Sequence, residues 1–143
     1  MKAIARNWII QEKIGLISNR DLVQLADNYI RDNDEFPDWM IDISTNGSLN
    51  RIEGLDLVLT PINDSDCSLI AQKMLDLFGA GERDIFQIAT ACQSMYLALD
   101  WGGAAFDHFV WISDELDLIE LGVKPRDGYE ENLKDALSRV IHL

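Results

Sequence analysis

The pattern of apolar residues predicts an all-α protein, a single-domain bundle of about six helices packed around a central apolar helix at residues 85–99. Three features carry that expectation. The stretch from Asp84 to Asp100, D-I-F-Q-I-A-T-A-C-Q-S-M-Y-L-A-L-D, has no charged residue between its terminal aspartates, in a chain where 26% of residues are charged. Ile85, Ile88, Ala89, Cys92, Tyr96 and Leu99 fall on one side at helical spacing. Phe86, Met95 and Leu97 widen the apolar surface until only Gln87, Thr90, Gln93 and Ser94 interrupt it. Such a segment belongs inside, and it falls short of the about 20 apolar residues that a membrane span needs. Amphipathic stripes of period 3.6 recur along the rest of the chain. Finally, 143 residues suffice for one domain to bury a core without disulfides or metal.

Taken in order, Ile10, Ile14 and Ile17, broadened by Trp8 and Ile9, mark a first helix running to about Gly15, a candidate C-cap. Ser18 followed by Asp21 resembles a capping box, and Leu22, Leu25, Ala26, Tyr29 and Ile30 continue a second helix. D-N-D-E-F-P-D stops it, and Pro37 opens a short helical segment, W-M-I-D-I, closed by the turn Thr45-Asn46-Gly47-Ser48. Residues 49–61 read as a short strand, a short helix or an extended connector; periodicity does not separate these, and the lack of a partner strand favours the last two. Asp64 or Ser65 is expected to cap a helix with Ile70, Met74, Leu77 and Phe78 inward, ended by Gly79 and Gly81. After the central helix, Gly102 and Gly103 break the chain. Ala104 to Leu121 then resumes with Phe109, Ile112, Leu116 and Ile119 on one face. The final helix starts near Asp127, places Glu130 and Glu131 in its first turn and Arg139 and His142 near its end, as the helix dipole favours, and buries Leu133, Leu137 and Val140.

Charge constrains the partners. The formal net charge is −13, from 25 acidic and 12 basic residues, so nucleic acid and anionic membrane are poor partners and none is expected. Residues 1–20 carry four basic side chains against Glu12, while nine acids face Arg31 and Arg51 over residues 21–60. A basic first helix resting on an acidic body explains this better than a separate basic site. Cys67 and Cys92 match neither metal-site nor disulfide-scaffold spacing, and reduced, buried thiols are expected, as in the cytoplasm. The N-terminus spreads its charges and shows no export signal.

The motifs of catalysis and metal binding are missing their key positions. Asp64-Ser65-Asp66-Cys67-Ser68 opens like a calcium loop, but Leu69 stands where glycine is required and Leu75 where a bidentate acid is required; helix capping accounts for it. Gly79-Ala80-Gly81-Glu82-Arg83 lacks the Lys-Ser/Thr ending and the preceding strand of a phosphate loop. Asp107 and His108 are adjacent on a helix and so point in different directions, and no Glu-x-x-His motif of a di-iron bundle occurs. No cofactor or metal is expected, and no enzymatic activity.

Two acidic clusters remain. Asp27, Asp32, Asp34, Glu35, Asp38 and Asp42 surround a short segment holding Phe36 and Trp39. On the sixth predicted helix, Asp107, Trp111, Asp114 and Leu118 share a stripe at i, i+4, i+7 and i+11, opposite the apolar face; either both faces of that helix are buried, or the stripe meets a partner. Asp107, Trp111, Asp114 and Leu118, with Asp32, Asp34, Glu35 and Trp39 as an additional contact, are the candidate partner-binding residues. Carboxylates around aromatic anchors suit a basic protein: charge steers association and buried aromatics supply affinity.

In size, charge, cysteine poverty and helical character the chain resembles the immunity proteins of bacterial toxin–immunity pairs, of the contact-dependent growth inhibition and nuclease bacteriocin kinds. That resemblance extends over the whole chain but rests on no diagnostic motif. It implies a cytoplasmic antitoxin, monomeric or weakly dimeric, that neutralises a basic toxin domain, an RNase acting on tRNA or a DNA nuclease, by occluding its active site. Two other readings stand beside it. One is a small-ligand-binding or enzymatic domain with a pocket near Trp101, Gly102, Gly103 and His108. The other is a DNA mimic, which calls for regularly spaced carboxylates and few exposed aromatics.

Overall fold

The structure, a computed structural model, describes residues 2–48, 61–98 and 103–143. These form seven helices and no strand: α1 (Lys2–Lys13), α2 (Asn19–Asp32), α3 (Asp38–Asn46), α4 (Asp64–Gly79), α5 (Ile85–Ala98), α6 (Phe106–Glu120) and α7 (Tyr129–Ile141). The all-α expectation is met, with one helix more than the six predicted. The single domain expected over residues 1–143 is laid out as two compact units, Met1–Thr60 and Pro61–Leu143. Residues 49–60, of undecided conformation in sequence, and 99–102 lie outside the described residues.

In the first unit α2 packs mainly on α3 and also on α1. Ala5, Ile9, Leu22, Ala26, Trp39, Met40 and Ile43 form its core, flanked by Trp8, Ile17, Tyr29, Ile30 and Phe36. The predicted capping box is present: Ser18 Oγ accepts from the Asp21 amide at 3.1 Å, and Asp21 Oδ2 accepts from the Ser18 amide at 3.0 Å. Two donors that the helix start leaves open are thereby satisfied. At the far end of α3, Gly47 adopts φ 68° and its carbonyl accepts from Asn19 Nδ2 at 3.1 Å. That left-handed φ favours glycine, and a Cβ at Gly47 would push aside the Asn19 side chain that makes this bond.

The second unit is a ring of four helices in which α4 pairs with α7, α7 touches α6, α6 pairs with α5, and α5 closes back on α4. Helices α4 and α7 run in opposite senses. Ser68, early in α4, donates to the carbonyl of Ile141 at the end of α7 (2.9 Å), while Lys134, early in α7, lies 5.0 Å from the Phe78 ring at the end of α4. Phe109, Ile112, Leu116, Ile88, Met95, Leu133, Ile70 and Met74 are fully buried. Each such side chain contributes about 1.5–3 kcal/mol by leaving water, so this interior holds the unit together.

Two expectations need correction. The cap of α4 is Asn63, in place of Asp64 or Ser65: Asn63 and Asp66 exchange reciprocal bonds (2.9 and 3.0 Å), while Asp64 Oδ1 accepts from the Ala105 amide just before α6 (3.2 Å). Helix α5 is also not enclosed on all sides. Ile88, Ala89, Ala91, Cys92 and Met95 are buried, but Gln87 and Thr90 are exposed and Leu97 is 79% exposed. Every helix of a four-membered ring keeps an outer face, and uncharged polar residues fill this one. Asp84 and Gln87 cap the start of α5 reciprocally, at 2.8 and 2.9 Å.

Cys67 and Cys92 are free, buried thiols, and Cys92 Sγ lies 3.6 Å from Met74 Sδ. Burial, reinforced by Asp64 and Asp66, pushes the Cys67 thiol up from 9.0 to about 12, and burial alone raises that of Cys92. Both therefore stay protonated in the fold but ionise near 9.0 when the chain unfolds. Their contribution to stability is complete below pH 9 and declines as pH rises above it. Melting temperatures followed from pH 7 to pH 10 should fall above pH 9, and the Cys67→Ala/Cys92→Ala double variant should show a shallower fall; parallel curves refute the assignment. Cys92→Asp places an unpaired carboxylate in the interior and should remove most of the ~5–15 kcal/mol that holds a typical domain together, which a lost thermal transition would report.

Candidate functional site

Helix α6 offers one apolar and one outward face. Phe109, Ile112, Ser113 and Leu116 are buried, and the Tyr129 hydroxyl donates to the Ile112 carbonyl at 3.1 Å, tying the start of α7 to the middle of α6. That hydroxyl is buried, which raises its pKa, with smaller contributions from the neighbouring Cys92, Glu115, Glu120 and Asp117. Of the predicted stripe, Asp107 and Asp114 are exposed, Trp111 is 37% exposed and Leu118 is half-buried. Burial of both helix faces is thus excluded for Asp107, Trp111 and Asp114. The tryptophan ring reaches the surface between carboxylates one turn before it and one turn after it.

Charge pairing leaves those two carboxylates over. Lys124 binds Glu115 at 2.6 Å, Lys134 binds Glu130 and Glu131 at 3.4 and 3.6 Å, and Arg139 binds Asp135 at 3.0 Å. Arg126 stacks 4.1 Å from the Phe86 ring, and Asp117 accepts from Gln93 Nε2 at 3.0 Å. Among the described residues Asp107 and Asp114 have no ion-pair partner. An acidic surface around an exposed indole results.

Beside Trp111 a groove of about 290 Å³ opens between α6 and α7, lined by His108, Trp111, Asn132, Asp135, Ala136 and Arg139. Asn132, Asp135, Ala136 and Arg139 recur at i, i+3, i+4 and i+7 on α7, a stripe present in the sequence that charge counting alone passed over. His108, placed by sequence in a ligand pocket, does line this groove; Gly103 is exposed, and Trp101 and Gly102 lie outside the described residues.

The second predicted contact belongs to the other unit and changes character. Asp32, Asp34 and Glu35 are exposed, Asp32 lying 3.7 Å from the Arg31 guanidinium, and Asn33 Nδ2 donates to the Tyr29 carbonyl where α2 ends. Trp39, expected among the contact residues, is 2% exposed and sits in the core with Met40 and Ile43. It is removed from the candidate surface because it packs in the core, with Ile43 one turn on along α3 beside it. Asp27, on α2, accepts a hydrogen bond from Ser44 on α3. The loop keeps its charge but has lost its expected aromatic anchor.

Among the described residues, no group of three or more histidine, cysteine, aspartate or glutamate side chains is placed to hold a metal ion, and no helix is long and apolar enough to cross a membrane. Comparison with models of protein families, with curated proteins and with solved structures finds no match. The two tryptophans should respond differently to truncation. Trp39→Ala should cost the ~3–5 kcal/mol of a large core cavity, and Trp111→Ala less than about half of that, in urea-induced unfolding. Equal losses would place Trp111 in the core and remove it from the site.

Proposed function

We propose that the protein is an acidic binding module of the immunity type. It associates with a basic protein partner, a nuclease toxin domain in the toxin–immunity case, and neutralises it in the cytoplasm by covering its active site, with no catalysis of its own. The observation that supports this best is Trp111, 37% exposed between Asp107 and Asp114, neither of which has an ion-pair partner among the described residues. Interfaces concentrate their energy in a few desolvated aromatic and arginine side chains, while rim charges govern encounter. The outer face of α6 combines both roles over three helical turns, and the net charge of −13 adds long-range attraction for a cationic partner. In this reading the apolar helix Ile85–Ala98 is scaffold: it backs α6 from inside and contributes no contact. Asp32, Asp34 and Glu35 serve as a secondary acidic contact, without Trp39.

The groove at His108 gives the small-ligand reading its one specific support. Its size is at the lower limit of ligand pockets, which run from roughly 300 to 1,000 Å³. Its charged lining is an Asp135–Arg139 ion pair, which fits recognition better than proton transfer.

Co-expression with the product of the neighbouring gene, followed by purification of a complex and a nuclease assay, tests the proposal. A stoichiometric complex with the nuclease silenced is expected; turnover of a small molecule by the purified protein, or protection of cells without binding, overturns it. Within such a complex Trp111→Ala should weaken affinity by about 2 kcal/mol or more, chiefly through faster dissociation, whereas Asp114→Asn should lower the association rate and flatten its dependence on salt. Stopped-flow binding at several ionic strengths separates the two.

A further inference from the structure

We propose that the groove between α6 and α7 is the seat for a single basic side chain of the partner, specifically an arginine. This deepens the proposed function and rests on its basic partner, but it names a different set of contacts. The wall of the groove is the Trp111 indole, 37% exposed in the unbound protein, with His108 one turn before it on the same helix. The opposite wall is the α7 stripe of Asn132, Asp135, Ala136 and Arg139. At about 290 Å³ the space lies just under the ordinary range for small-molecule pockets, roughly 300–1,000 Å³, and so accommodates a long side chain better than a cofactor.

Charge selects the occupant. Asp135 lines the groove and pairs with Arg139, and outside the lining Asp107 and Asp114 lie one turn to either side of Trp111, so carboxylates outnumber the one guanidinium around the groove. The Arg139–Asp135 pair spans 3.0 Å, with its side chains 68% and 64% exposed, so water already weakens it and Asp135 can turn to an incoming cation at little cost. An arginine suits this lining better than a lysine. Its planar guanidinium stacks flat on an indole and still presents its donor fork to carboxylates at the edge, whereas an ammonium is a strongly hydrated point charge. The side-chain carbonyl of Asn132 supplies a neutral acceptor beside them. Like the outward stripe, this seat uses Trp111, but it places the hot spot on the α7 side of the ring.

The test uses the intact, uniformly ¹⁵N-labelled protein and three small probes, all Nα-acetylated: argininamide, lysinamide and citrullinamide, which is then uncharged. Argininamide should give saturable shifts centred on the Trp111 indole N–H, the Asn132 side-chain amide and the Ala136 backbone amide. Its affinity should exceed that of lysinamide by about threefold or more, and citrullinamide should leave the spectrum unchanged. Asp135→Asn, an exposed change that leaves the core alone, should weaken argininamide binding about threefold or more. Trp111→Leu, checked by its thermal melt, should abolish the preference for arginine over lysine. Shifts of equal size at the Asp34 and Glu35 amides would show general attraction to acidic surface and overturn the proposal, as would an equal response to citrullinamide, which marks a neutral small-ligand pocket. The two readings fail separately. A basic partner that binds without perturbing Asn132 and Ala136 refutes the arginine seat alone, whereas arginine-selective binding in the groove by a protein that captures no toxin refutes the proposed function alone.

Discussion

Between Pro61 and Leu143 the chain carries 15 acidic and 6 basic side chains, and four helices must pack without bringing that excess together or burying it. The solution is a strict division of faces. Inner positions are almost wholly carbon and sulfur, and among the unit's described residues the one buried carboxylate, Asp66, is satisfied as part of a helix cap. Basic side chains on α7 and in the turn before it make local pairs: Lys124 with Glu115, Lys134 with Glu130 and Glu131, Arg139 with Asp135. Exposed pairs of this kind contribute little, typically about 0–1 kcal/mol each. Their effect here is mainly to determine which carboxylates stay without an ion pair, and Asp107 and Asp114 on the outer face of α6 are among those.

Most helices were legible because burial on one side imprints a period of 3.6, and the box predicted from Ser18 and Asp21 does cap the start of α2. The misreadings have physical causes. An uncharged segment, residues 85–98, is not the same as a buried one: Gln87 and Thr90 hydrogen-bond well enough to face water, and their lack of charge says only that no ion pair was needed there. Asn63 and Asp64 are both competent caps, and the choice between them depends on Ala105, 41 residues away, whose amide takes the Asp64 carboxylate. Local sequence does not contain that contact.

The two tryptophans show how much of the site was available in sequence. Both sit near several aspartates, and counting charge treats them alike. Neighbours one turn away differ in part: Trp39 has Asp42 at i+3 and Ile43 at i+4, whereas Trp111 has Asp107, Asp114 and Glu115 at i−4, i+3 and i+4. Trp39 enters the core beside Ile43, and Trp111, with only acidic side chains at these positions, stays at the surface. The groove was harder to see, since its two walls come from α6 and α7 and become one site only when Tyr129 and the helix pair bring them together.

An exposed indole is ordinarily a liability, because apolar patches invite self-association. The arrangement around Trp111 limits that risk through the same charges that favour a basic partner. A symmetric dimer formed through this face would set Asp107 and Asp114 against the same residues of a second copy, since a two-fold interface presents one patch to itself. Repulsion among four like charges around two tryptophans opposes whatever the apolar contact gains, while a cationic surface turns that repulsion into attraction. On the proposed reading the acidic rim acts twice, as attraction toward a cationic partner and as repulsion toward a second copy of the chain. That double role explains why an aromatic side chain of this size can remain at the surface of a chain with net charge −13.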